Sequence, residues 1–157
     1  MNAEQYLSQV RELHTTLRAL KMRLDEAKYT MDMLKSVNLD GMPKGEARTL
    51  EEVIAEYEER MDEYVREMMR WTALKEQAVS MLDRARTRLL DGSAHAIRVT
   101  HIDVVEMYYI GRMSREHVAY ALDYSVPHVD RLKAEALVWL DNSTDVDGFP
   151  LVPIVSE

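Results

Sequence analysis

The sequence predicts an all-α protein, in which a long antiparallel coiled-coil hairpin is followed by a small domain of short helices joined by tight turns. Three observations carry that expectation. Only five glycines and four prolines interrupt 157 residues, too few for a many-turned β fold. Apolar residues recur in an unbroken 4/3 alternation along two long stretches, as in the seam of a coiled coil. The last third divides into short segments, each with its own capping residue and one apolar face.

The first seam starts at Tyr6 and runs Val10, Leu13, Leu17, Leu20, Leu24, Ala27, Met31 and Leu34. It stops at Asn38-Leu39-Asp40-Gly41-Met42-Pro43-Lys44-Gly45, where two glycines and a proline predict a loop. Thr49 then caps a second helix, with Glu52 completing a capping box. The second seam runs Leu50, Ile54, Tyr57, Met61, Tyr64, Met68, Trp71, Lys75, Ala78, Leu82, Ala85 and Leu89. At ~1.5 Å per residue the two helices reach about 50 and about 60 Å. A short loop between long helices favours an antiparallel hairpin. One hairpin covers its stripe thinly, and bulky Met22, Met33, Val53, Met69 and Val79 flank the seams. A second hairpin is therefore expected, making a homodimeric four-helix bundle. Leu13, Leu17, Leu20, Leu24, Met61, Tyr64, Met68 and Trp71 are its expected dimerisation residues.

Asp91-Gly92-Ser93 ends the long helix. Ala94 to Thr100 is expected to be a connection, and Ile102 to Ile110 an apolar helix that Gly111 terminates. Ser114 caps the next helix, whose buried face is Val118, Ala119 and Leu122. Asp123-Tyr124 makes a turn. Ser125 caps a longer helix that tolerates Pro127 in its first turn and buries Val129, Leu132, Ala136, Leu137 and Leu140. Two helices joined by so short a turn form a helix-turn-helix. The expected domains are 1–91, the hairpin; 92–141, the helix-turn-helix; and 142–157, an extended apolar tail around Phe149-Pro150-Leu151-Val152-Pro153.

The run Ser114 to Leu140, SREHVAYALDYSVPHVDRLKAEALVWL, resembles region 4 of the sigma-70 family. The matching positions are Ser114, Leu122, Ser125, Val129 and the pair Ala136-Leu137. With its long helical N-terminal part, the layout is similar to phage-encoded transcription regulators of the ArpU and RinA type. The resemblance implies a sequence-specific DNA-binding regulator of phage or prophage genes, in the cytoplasm of a bacterial host, with double-stranded DNA as partner and RNA polymerase as a further one. If the helix docks as in that family, Ser125, Val126, His128, Arg131 and Lys133 face the major groove, with Arg131 the candidate for a bidentate guanine contact. Arg112 and Arg115 flank the N-terminus of the preceding helix, where phosphate is favoured. Arg84, Arg88 and Arg98 are candidates for auxiliary phosphate contacts. The departures are as plain: Val126, Pro127, His128 and Asp130 stand where the family is basic and polar, and residues 99–141 sum to −3.

The net charge of −8 argues against nucleic acid, but it is unevenly spread. Residues 46–67 carry nine acids and three bases, while residues 68–98 carry six bases and three acids. Two other readings therefore stand beside the regulator: a protein-interaction factor that binds polymerase or a repressor without touching DNA, and a DNA-packaging subunit resembling small terminases. The absence of cysteine excludes thiolate metal sites and suits a reducing cytoplasm. Histidines 14, 95, 101, 117 and 128 lack ligand spacing. No Gly-rich phosphate loop and no paired catalytic carboxylates are evident. No enzyme, metal, cofactor or small-molecule substrate is expected. Neither a signal peptide nor a membrane-spanning run is visible, so no membrane partner is expected.

Overall fold

The computed structural model describes residues 1–37 and 49–153; the loop expected over 38–45 and tail positions 154–157 lie outside the described residues. The protein is all-helical, with no strand among the described residues. Its helices are α1 (Ala3–Val37), α2 (Leu50–Leu89), α3 (Val99–Val105), α4 (Arg115–Leu122) and α5 (Val126–Asn142), with a π-helical turn, Glu106–Ile110, continuing α3.

Local chemistry sets most of these ends. Asn2 and Gln5 form a reciprocal box at the start of α1: the Gln5 N–H donates to Asn2 Oδ1 at 2.8 Å, and the Asn2 N–H to Gln5 Oε1 at 3.1 Å. Thr49 Oγ1 accepts the Glu52 N–H at 3.2 Å, as its spacing predicts. Past the end of α2, Gly92 takes a φ of +87°, which an L side chain would resist. Asp91 beside it accepts the Ser93 N–H at 2.8 Å and contacts His95 Nε2 at 3.1 Å and Arg88 at 2.7 Å. The Ser93 amide, followed by the His95 contact, holds the Asp91 carboxyl down to about 2. α3 starts three residues earlier than expected, because His101 Nδ1 accepts the Arg98 N–H at 3.1 Å and so closes the first turn.

The chain forms two compact units, Met1–Glu12 with Ala73–Glu157, and Leu13–Thr72. This division differs from a boundary at 91/92, since one end of each long helix packs with the short helices. In this multihelix unit the main core joins Leu7 and Val10 of α1, Ala78, Leu82 and Ala85 of α2, Ile102 and Val105 of α3, and Ala136 and Leu140 of α5. A smaller cluster, Val104, Val118, Ala119, Val129 and Leu132, holds α3, α4 and α5 together. The start of the tail is not extended along the surface. Asp145 closes a turn by accepting the Asp147 and Phe149 N–H groups at 2.9 and 3.0 Å. The chain then returns, placing Leu151 in the main core with no exposure.

In the two-helix unit, Leu17, Leu20, Leu24, Ala27 and Met31 of α1 and Val53 of α2 are buried. The His14 and Trp71 rings lie 5.6 Å apart, and Lys21 Nζ stands 5.9 Å above the Tyr64 ring. Seven residues forward on α1 match seven back on α2, so the helices run antiparallel over this stretch.

Candidate nucleic-acid interface

α4, the turn and α5 are built from short-range bonds. Ser114 Oγ accepts the His117 N–H at 3.1 Å, and Ser125 Oγ the His128 N–H at 3.3 Å. Asp123 closes α4 in the left-handed region (φ 58°), and the Tyr124 N–H returns to Ala119 O at 2.9 Å. Arg115 of α4 reaches Asp130 of α5 at 3.0 Å and fixes the pair. The inward face of α5 is Val129, Leu132, Ala136, Leu137 and Leu140. Pro127, Arg131, Ala134 and Val138 form its exposed outward row.

The groove-facing candidates separate. Arg131 is well exposed; its Nη2 lies 2.6 Å from His128 Nδ1, and its Nε 3.9 Å from Glu135. His128 packs edge-on against Tyr124, with ring centres 4.7 Å apart. Ser125 is exposed but spends its hydroxyl on the cap. Val126 is turned partly inward against the smaller core cluster. Lys133 is half-buried on the opposite side of α5 from Arg131. It lies one helical turn from buried Val129 and Leu137, and its amine sits 4.1 Å from the centre of the Tyr108 ring.

The outer arginines are mostly committed within the chain. Arg84 holds the tail through Asp145 and Leu151 O, both at 3.1 Å, and Arg88 pairs with Asp91 at 2.7 Å. Both side chains are more than a third exposed beyond these contacts. Arg98 is exposed, as are Arg112 and Arg115 around the start of α4. Neighbouring Arg86 contacts Asp83, Asp103 and Glu106.

Several residues escaped the sequence reading. Glu135 meets both His101 Nε2, at 2.9 Å, and Arg131, joining the start of α3 to the outward face of α5. Because His101 Nδ1 accepts a backbone N–H, its Nε2 carries the proton donated to Glu135. Tyr120 on α4 is 89% exposed, the most exposed large apolar side chain described. The π turn was missed as well: the Gly111 N–H bonds to Glu106 O at 2.9 Å, while Arg11 Nη1 donates to the carbonyls of Tyr108 and Met113. Arg11 also stacks over the Tyr108 ring, so both Arg11 and Lys133 stand 4.1 Å from its centre.

Among the described residues no group of histidines and carboxylates could hold a metal ion, and no helix is long and apolar enough to cross a membrane. Comparison with family models, with curated proteins and with solved structures finds no match for this chain.

Proposed function

We propose that the chain is a sequence-specific DNA-binding transcription regulator, dimeric through its helical pair, with α4, the turn and α5 acting as a sigma-70 region 4-like helix-turn-helix. One observation carries this reading. α5 is anchored along a single face, while its outward row, including the 64% exposed Arg131 side chain, is directed to solvent. The reading assigns Arg131 to a base edge, His128 and Ser125 to positions beside it, and Arg112, Arg115 and Arg98 to phosphates. The resemblance to ArpU- and RinA-type regulators supports a phage or prophage origin. Few cations are available, so affinity is expected to fall steeply with salt.

A second reading, a protein-binding factor, is favoured by the carboxylates on the same face. Asp130 faces Arg115 and Glu135 faces Arg131, leaving the outward row close to neutral. Gel mobility shifts at low salt over fragments of the native genome distinguish the two. A discrete complex lost on Arg131→Glu supports the regulator. Absence of binding to every fragment contradicts it and favours the protein-binding factor.

A further inference from the structure

Only some of the residues expected to join two copies are enclosed within the chain; Met61, Tyr64, Met68 and Trp71 are half-buried. Leu17, Leu20 and Leu24 are buried within the chain's own two-helix unit. One open edge of that unit carries opposite charges on its two helices. On α1 the position after every second seam residue is basic: His14, Lys21, Lys28 and Lys35, spaced by seven. On α2 the equivalent row is Glu51, Glu58, Val65 and Thr72. In an antiparallel pair these two rows border the same edge. The contacts of Lys21 with Tyr64 and of His14 with Trp71 place the α1 row along it. Lys28, Lys35, Glu51 and Glu58 are exposed, and no ion pair among the described residues reaches any of them. Towards the other end of the same edge lies a hollow of about 300 Å³ floored by Leu17, Tyr64, Met68 and Trp71. Val65 and Met69, 45% and 69% exposed, stand beside it on α2.

We infer that this edge is a self-complementary docking surface for a second copy of the chain. A two-fold axis parallel to the helices lays the basic row of α1 on the acidic row of α2 in the second copy, in the antiparallel sense the pair already has. Lys28 and Lys35 then meet Glu58 and Glu51 of the other copy, and Val65 and Met69 enter its hollow, twice over by symmetry. A two-fold axis across the helices would instead set lysine on lysine. Charge thus selects one four-helix bundle from the two that shape alone permits. This inference rests on the dimeric part of the proposed function and needs no DNA.

The test is the molar mass of the full chain by light scattering, with sedimentation for the dissociation constant. The wild-type chain is expected to be a dimer that weakens as salt rises. Lys28→Glu with Lys35→Glu leaves both rows acidic, and Glu51→Lys with Glu58→Lys leaves both basic. Each double variant is expected to dissociate roughly tenfold more readily or worse, while an equimolar mixture forms a heterodimer. Circular dichroism checks that helicity is retained; if a variant unfolds, the salt dependence of the wild-type dimer decides. A monomeric wild-type chain, a mass above the dimer, a dimer indifferent to salt, or double variants that dimerise unaltered would each overturn the inference. Mobility shifts remain a separate measurement, so failure of DNA binding and failure of this surface are told apart.

Discussion

The two units enclose their apolar side chains to very different degrees. In the multihelix unit Leu7, Leu82, Ile102 and Leu151 are wholly shielded, because α3, α5 and the returning tail cover the ends of the long helices. In the two-helix unit Met22, Tyr29 and Met69 are 72%, 66% and 69% exposed, and Val53 is the one buried residue of α2 between Leu50 and Thr72. The same heptad pattern runs through both. The seam alone therefore does not decide enclosure; what lies across it does. Two helices bury one stripe each and leave their flanks to solvent, or to another molecule.

The largest expected effect contrasts the two units directly. Leu82→Ala is expected to cost about 2–5 kcal/mol, since neighbours on several sides cannot collapse into the vacated space. Tyr29→Ala should stay within about 0.5 kcal/mol. Denaturant melts of both variants check this, and equal losses would mean that the two-helix unit is as closed as the other.

A smaller effect is expected at the π turn. A Cβ on Gly111 would stand 2.7 Å from Met107 O, and that contact is backbone. Gly111→Ala is therefore expected to destabilise by about 1–3 kcal/mol, read as a lower melting temperature. An unchanged melt would show that the turn relaxes freely.

The smallest effect is confined to high pH. Burial, with Glu4 nearby, pushes the Tyr109 phenol up to about 12, so the folded chain keeps its proton after the unfolded chain has begun to lose it. Stability from this group is full below about pH 10 and is lost as pH rises towards 12. Tyr109→Phe should flatten that part of the stability profile, measured by urea melts across the range.

Much of this was readable from the chain because it depends on local chemistry. The heptad steps predicted α1 and α2, and the hydroxyls of Thr49, Ser114 and Ser125 cap the helices they were expected to cap. The box between Asn2 and Gln5 was equally local and went unread. Lys133 could also have been placed, since it stands four residues from both Val129 and Leu137 and so shares their inward face. Other features were beyond local reasoning. Arg84 meets Asp145 61 residues away, Arg11 meets the Tyr108 carbonyl 97 residues away, and the π turn packs where the latter pair meets. No spacing rule announces such partners, and one of them engages Arg84, a candidate for phosphate on sequence grounds.

We propose that the outward row of α5 reads DNA while Lys133, on its inward side, supports the fold. Fluorescence anisotropy of a genomic fragment that the wild-type chain retards tests it most directly, with Arg131→Glu and Lys133→Ala measured side by side at low salt. Arg131→Glu is expected to abolish specific binding, and Lys133→Ala to leave affinity nearly unchanged while lowering thermal stability. Equal loss for both variants, or undiminished binding by Arg131→Glu, would contradict it.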